Sequence, residues 1–257
     1  NLESLAAEYA TPHVANIRNW ERWGVWTGQE YWPPYPSLDE FRAHSEAARA
    51  GGGRGMVMLS GYRWTLEKKT PEGGVYDSTE RYEAQVKPWV VRDPATGQPA
   101  LRSSAKENDW HGSRFVALCR ATEFAKQTIV ETARRCVEAG WPVIHFDQEV
   151  SGNYLNSVCG AADHGHPPGH GRWVHEAMSD LYDRLRAACA PLDPDFALSM
   201  EEPNELYVQQ LNLCQSRPYG LTTEWPVRVP MTRSVPLFLF LYHDCLMGWA
   251  AFYPWRS

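Results

Sequence analysis

The fold is decided by the stretch Val143-Ile144-His145-Phe146-Asp147 and by the helical pattern in front of it. Thr122 can cap a helix that Gly140 would end. The apolar side chains of this helix fall on one face, at Phe124, Ile129, Ala133, Cys136 and Val137. A short apolar run that follows such a helix is typical of a buried strand, so these residues predict one helix-then-strand unit.

The same order of helix and strand recurs elsewhere in the chain. Residues 37–40 read Ser-Leu-Asp-Glu, a capping box that predicts a helix ending at the glycines 51–53. Apolar residues at helical spacing over 174–188 predict another helix, which ends at Pro191. Further strands are predicted over 55–60, 196–201 and 235–242.

Repeated helix-then-strand units with long loops after the strands predict a parallel sheet with helices outside it. Because acidic residues follow separate strands, we expect an α/β fold of the (β/α)8 TIM-barrel type rather than a doubly wound sheet. Only four or five strands are evident, so the barrel could be incomplete. We expect residues 1–257 to form a single catalytic barrel domain. Within it, 62–113 is a long loop excursion in which 86–91 could supply a strand.

Composition excludes several classes of function. The formal net charge is -6, which leaves no basic surface for nucleic acid. The longest apolar run, near 235–241, is far shorter than the roughly 20 residues of a membrane-spanning helix. The six cysteines are widely spaced, so we expect buried free thiols rather than a disulfide framework. For the location of the protein, we favour secretion or the periplasm over the cytoplasm.

Strand alternation assigns the side chains of 143–147 to two faces. Ile144 and Phe146 suit the helix-covered side, which leaves His145 and Asp147 pointing inward. Asp147 would then lie at the mouth of the barrel, where barrel enzymes place their chemistry. The alternative is that Asp147 only caps the turn after the strand.

The same alternation over 196–201 directs Glu201 toward that mouth. Glu202 is a close rival, because the strand ends here and the alternation could already have failed. Either carboxylate could instead complement the dipole of a following helix. We favour Glu201 by phase and keep both as candidates.

Two carboxylates at the ends of different strands are what glycoside hydrolysis requires, one to attack or activate water and one to protonate the leaving oxygen. Sugar rings also need aromatic faces for stacking and polar side chains that bind hydroxyl groups. We therefore predict Asp147, Glu201 and Glu202 as catalytic residues. The predicted substrate contacts are His145, Gln148, His164, His166, Trp64, Trp173, Glu205, His243 and Asp244.

The glycine- and proline-rich loop over 159–170 contains a cysteine, an aspartate and three histidines. Imidazole and thiolate are zinc ligands, but His-x-His with a distant cysteine matches no strong zinc signature. A rigid wall of the substrate cleft explains the composition as well, and so does a plain structural loop. We favour the wall, in which His164 and His166 donate to sugar hydroxyls, and expect no metal and no cofactor.

The runs V-I-H-F-D-Q-E-V at 143–150, C-G-A-A-D-H-G-H-P-P-G-H-G-R-W at 159–173 and S-M-E-E-P-N-E-L-Y at 199–207 resemble a bacterial family of barrel proteins of unknown function. That family is related to glycoside hydrolases near the α-galactosidase-like clan. The resemblance extends from about Pro33 onward. It implies a retaining hydrolase barrel, in which Asp147 matches the nucleophile and Glu201 or Glu202 the acid/base. Members of such groups are usually longer, with β-sandwich regions around the barrel.

Two other functions remain open alongside a hydrolase of oligo- or polysaccharides. One is a metal-dependent sugar isomerase or hydrolase that uses His145, Asp147, Glu201 and His166 around a divalent ion. The other is a carbohydrate-binding barrel that has kept the cleft and lost catalysis. A carbohydrate is the expected ligand in every case, with neither nucleic acid nor membrane as partner.

Overall fold

A computed structural model of the chain describes residues 13–17, 20–23, 28–70, 73–104, 113–146, 158–201, 204–216 and 237–250. Within these residues the strands are β1 (Val14–Ile17), β2 (Arg54–Leu59), β3 (Arg63–Lys69), β4 (Val75–Asp77), β5 (Arg102–Ser104), β6 (Ser113–Ala117), β7 (Val143–Phe146), β8 (Ala197–Glu201), β9 (Leu213–Ser216) and β10 (Met247–Ala250). They form one parallel and one antiparallel sheet.

The parallel sheet has the strand order β1-β2-β7-β8-β9-β10, and every neighbouring pair in it is parallel. The sheet curls into a half-barrel. The predicted parallel sheet with outer helices is therefore confirmed. Among the described residues it amounts to half of the (β/α)8-type barrel that we expected as possibly incomplete.

The helices are α1 (Leu38–Ala50), α2 (Glu123–Glu138), α3 (Trp173–Cys189) and α4 (Leu237–Tyr242). Shorter helical turns lie at Thr79–Arg81, Tyr82–Val86, Lys87–Trp89 and Glu205–Tyr207. Both predicted helix starts are confirmed. Ser37 Oγ accepts a hydrogen bond from the Glu40 N–H at 3.2 Å, and Thr122 Oγ1 accepts one from the Ala125 N–H at 3.4 Å. No helix in the described ranges has the length and apolarity needed to span a bilayer.

The outer face of the parallel sheet packs under the helices, as the alternation predicted. Ile144 and Phe146 of β7 and Met200 of β8 belong to the same core cluster as Ile129 of α2 and Leu181 of α3. The opposite face carries a separate small cluster. Because each strand has one helix-covered face, the polar side chains of alternate residues are directed to the inside of the half-barrel.

The excursion after β2 is an antiparallel sheet with the strand order β4-β3-β6-β5, and β3 carries a bulge between Thr65 and Glu67. The strand predicted over 86–91 is wrong. Val86 ends a helical segment, Lys87–Trp89 form a 3-10 turn, and Val90 makes only an isolated bridge to Leu118. Pro88 explains this difference, since proline lacks the N–H that a strand ladder needs.

The strand predicted over 235–242 is also wrong, because α4 occupies Leu237–Tyr242 and the strand β10 follows it. A short run that is apolar throughout has no period that separates a strand from a helix. The packing shows the helical period, since Phe238 and Tyr242 lie four residues apart with ring centroids 4.8 Å apart. Phe240, between them, is exposed.

Trp141, in the turn before β7, holds α1 against the sheet. Its ring stacks on Phe41 with centroids 5.0 Å apart, and its Nε1 donates to the Phe41 carbonyl at 3.0 Å. Trp141→Ala is expected to lower the free energy of unfolding by about 3 to 5 kcal/mol, because it leaves a cavity in the core and removes the hydrogen bond to the Phe41 carbonyl. Urea unfolding of the variant measures this. Phe240→Ala, a large apolar side chain on the surface, is the control and should cost less than about 1 kcal/mol.

Candidate active site

Polar side chains line the inner face of the half-barrel. His145 of β7 and Ser199 of β8 are paired in register, and His145 Nδ1 lies 3.0 Å from Ser199 Oγ. Both residues are fully buried. A hydrogen-bonded imidazole and hydroxyl in this position form the floor of an inward-facing polar site.

A second row of inward-facing side chains lies two residues further toward the carboxyl ends of the strands. It consists of Glu201 of β8, Gln215 of β9 and Trp249 of β10, which are paired across the three strands. The Trp249 Nε1 donates to Ser199 Oγ at 3.1 Å, and its ring meets the His145 ring edge-on with centroids 5.2 Å apart. Trp249 is partly exposed, so the polar site opens at this edge.

Glu201 is the predicted catalytic carboxylate that the structure describes. It lies at the last position of β8 and is 3% exposed. It points to the inner face, as its phase predicted, because Met200 packs in the helix-side core. Asp147, Gln148 and Glu202 lie outside the described residues.

The structure overturns the role predicted for Trp64 as a sugar platform. Its side chain is 0% exposed, its Nε1 donates to Ser78 Oγ at 3.3 Å, and the Arg81 guanidinium lies 5.1 Å from the ring centroid. Trp64 is therefore a core residue of the antiparallel sheet. Its position directly after β2 suggested a loop, whereas β3 begins at Arg63.

Other predicted substrate contacts are spread over the molecule. Trp173 begins α3 and is buried against His166. Glu205 is exposed in the 3-10 turn after β8. His243 and Asp244 are exposed and pair with each other at 3.4 Å after α4, at a helix end rather than at the predicted strand end. Of the predicted substrate contacts, His145 is the one whose described contacts place it in the inner polar layer.

His164 and His166 belong to a different constellation. Their ring nitrogens and the Sγ atoms of Cys119 and Cys159 all lie within 4.8 Å of one another, and all four residues are buried. We call these four residues the thiol–imidazole cluster. It is the only group of three or more potential metal ligands among the described residues, and it contains neither His145 nor Glu201. The isomerase hypothesis required His166 to bind the same metal ion as His145 and Glu201. Because His166 belongs to a cluster that contains neither residue, the hypothesis loses this ligand.

Hydrogen bonding within the cluster shifts the pKa values of its two thiols in opposite directions. The hydrogen bond with Cys119, helped by one with His164, lowers the pKa of the Cys159 thiol far below its usual range. That hydrogen bond and burial raise the pKa of Cys119. Burial opposes protonation of His164, yet its hydrogen bonds to Cys159 and to the Pro88 carbonyl raise its pKa.

Sequence reasoning missed several residues of these two sites. Gln215 and Trp249 lie on strands that were not predicted, and Cys119 follows β6, beyond the end of the excursion. A usable signal was present for Ser199 alone, since it shares the inward phase of Glu201 in β8. No local pattern connects Cys119 to Cys159, because they lie 40 residues apart in the chain.

Comparison with known proteins gives a family and a fold. Residues 3–253 match the family whose description is Domain of unknown function (DUF6259). No curated protein matches the chain significantly.

Solved structures share the fold at low identity. The α-N-acetylgalactosaminidase NagBb from Bifidobacterium bifidum, in complex with Gal-NHAc-DNJ, is 18% identical with a TM-score of 0.67 over 95% of this chain and 35% of its own. The α-galactosidase TtGalA from Thermus thermophilus is 17% identical with a TM-score of 0.54 over 83% of this chain and 36% of its own. A maltogenic α-amylase, AmyB from Thermotoga neapolitana, is 12% identical with a TM-score of 0.50 over 83% and 43%. The chain thus spans less than half the length of these proteins.

Proposed function

The chain belongs to the DUF6259 family, and on that premise we propose that it hydrolyses glycosidic bonds of an oligo- or polysaccharide. One observation carries the proposal. A buried carboxylate, Glu201, ends a strand of a parallel half-barrel beside a hydrogen-bonded histidine, serine and tryptophan. Barrel enzymes assemble their chemistry at this edge of the sheet. The similar folds are those of glycoside hydrolases, which supports the same reading.

In the proposed mechanism Asp147 is the nucleophile and Glu201 the general acid/base, with Glu202 as the rival acid. Support comes from the strand register, because Phe146 pairs with Met200 and each directly precedes one of the two carboxylates. We propose a retaining mechanism, and the separation of the two carboxyl groups tests it, because retaining glycosidases hold them about 5 to 5.5 Å apart and inverting ones about 6.5 to 9.5 Å.

The remaining inner residues have supporting roles in this proposal. Trp249 replaces Trp64 as the aromatic surface for a sugar ring, because it is partly exposed and fixed by its hydrogen bond to Ser199. His145 is fully buried, so in this proposal it positions Ser199 and Trp249 beneath the sugar. We further propose that the half-barrel belongs to a (β/α)8 barrel.

The test is turnover of chromogenic glycosides by the purified chain. The panel contains the aryl α-galactoside, α-N-acetylgalactosaminide and α-glucoside, because glycosidases of these types share the fold. We expect release of the aryl alcohol from at least one of them. Binding of the same sugars without turnover would contradict hydrolysis and favour the carbohydrate-binding barrel. Absence of both binding and turnover, in folded protein, would reject a carbohydrate function.

A further inference from the structure

We propose that the thiol–imidazole cluster binds one Zn²⁺ ion in a closed, structural site. The four ligands are Cys119, Cys159, His164 and His166, which give the Cys2His2 donor set that zinc prefers. The inference is independent of the proposed hydrolysis, because the cluster includes none of the proposed catalytic residues.

The spacing of the donor atoms fits a tetrahedral ion. With zinc bonds of about 2.3 Å to sulfur and 2.0 to 2.1 Å to nitrogen, a sulfur and a nitrogen of one tetrahedron lie roughly 3.6 Å apart. Cys159 Sγ lies 3.6 Å from His164 Nδ1, and Cys119 Sγ lies 3.3 Å from His166 Nε2. No donor pair exceeds 4.8 Å, so binding requires only a slight contraction.

Each imidazole donates one ring N–H to a backbone carbonyl and turns its other ring nitrogen toward a cysteine. His164 Nε2–H donates to the Pro88 carbonyl at 2.7 Å, and Nδ1 faces Cys159. His166 Nδ1–H donates to the Pro167 carbonyl at 2.8 Å, which leaves Nε2 to face Cys119. In metal sites the second ring nitrogen of a histidine ligand commonly donates to a carbonyl or carboxylate in this way.

The surroundings favour a structural ion rather than a catalytic one. All four ligands are buried, and the His166 ring is covered by Trp173, with centroids 3.8 Å apart. Four protein ligands also complete a tetrahedron, whereas catalytic zinc keeps one position for water or substrate. Soft thiolates with imidazoles select zinc over magnesium or calcium, which prefer oxygen ligands.

The ion would join two segments that are distant in sequence. Cys119 follows β6, and its N–H donates to the Trp89 carbonyl at 2.8 Å. Residues 159–170 supply the other ligands. They also hydrogen-bond to the segment that contains Trp89, because the Gly160 N–H donates to the Arg92 carbonyl at 2.7 Å. A metal here fastens the loop between β7 and α3 to the antiparallel sheet. In this proposal the ion, which we did not expect from the sequence, makes the loop over 159–170 rigid.

The experiment measures zinc in the intact chain. After purification in metal-free buffer, elemental analysis of the wild type should give about one zinc per chain. Cys119→Ser with Cys159→Ser should reduce this to less than about a tenth, because the thiolates supply most of the affinity. Cys245→Ser, which removes the exposed cysteine, is the matched control and should keep the full zinc content.

Cobalt substitution of the wild type avoids any variant that fails to fold. Chelated protein titrated with Co²⁺ should show thiolate-to-cobalt charge-transfer absorption and intense tetrahedral bands, saturating at about one equivalent and lost on adding Zn²⁺. Removal of zinc should lower the melting temperature by more than about 10 °C, and added zinc should restore it. Folded wild-type protein without zinc and without the cobalt spectrum would overturn the proposal, as would a disulfide between Cys119 and Cys159. An unchanged melting temperature after removal would overturn the structural role.

Discussion

Asp147→Asn is expected to reduce the rate of glycoside hydrolysis by about four orders of magnitude or more. Asparagine has nearly the size of aspartate but carries no charge and cannot form the glycosyl ester of a retaining mechanism. The measurement is kcat/KM on whichever aryl glycoside the wild type hydrolyses. The melting temperature of the variant should stay within a few degrees of wild type, since only a charge is removed.

Asp183→Asn provides the matched control, because Asp183 is exposed on α3, away from the inner face of the sheet. Its rate should equal that of wild type. Asp147→Gly with added azide gives a second, sharper readout. If Asp147 is the nucleophile, azide attacks the sugar in its place, and the product is a glycosyl azide of inverted configuration. Activity retained by Asp147→Asn would assign the nucleophile to another residue.

Glu201→Gln is expected to reduce hydrolysis of a natural sugar by about 10² to 10⁴-fold, while an aryl glycoside with a good leaving group loses far less. The difference arises because a general acid protonates the leaving oxygen, and an activated phenol needs little protonation. Glu201 is 3% exposed at the end of β8, which fixes its carboxyl at the carboxyl edge of the parallel sheet. The two rates should be measured at several pH values, since the wild-type limb governed by the acid should disappear in the variant.

Glu202→Gln and Glu46→Gln are measured in parallel. Glu202 is the rival for the same role, whereas Glu46 is exposed on α1 and serves as the control. A larger loss for Glu202→Gln on the natural sugar would transfer the role to that residue. Equal, modest losses for Glu201→Gln and Glu202→Gln would reject both as the acid.

The parts of the fold that local chemistry determines were predictable from the sequence. Ser37 and Thr122 cap helices through their own hydroxyls, and the period of two in 143–146 and 196–201 separates the helix side from the inner side. These interactions join residues within a few positions of each other. Propensity and periodicity contain that information directly.

The parts that depend on distant pairing were not predictable. The antiparallel sheet joins β3 to β6 across the whole excursion, and α4 is apolar on every side, so neither has a distinctive local period. The candidate site shows the same difference between residues with a local signal and residues placed by distant pairing. The inward phase of Glu201 was evident, whereas Trp249 depended on a strand that was misplaced, and the contact of Cys119 with His166 depends on tertiary packing alone.

The two ends of the excursion meet each other. Arg63 of β3 pairs with Ala117 of β6, and the Leu118 N–H donates to the Tyr62 carbonyl at 2.7 Å. The chain therefore enters and leaves this insertion at neighbouring points, as it would in a simple hairpin. Doubling the length of such a closed loop costs only about 0.6 kcal/mol of chain entropy. Relatives could lengthen, shorten or exchange this module, and so reshape the rim of the half-barrel, without changing the register of the strands beneath it.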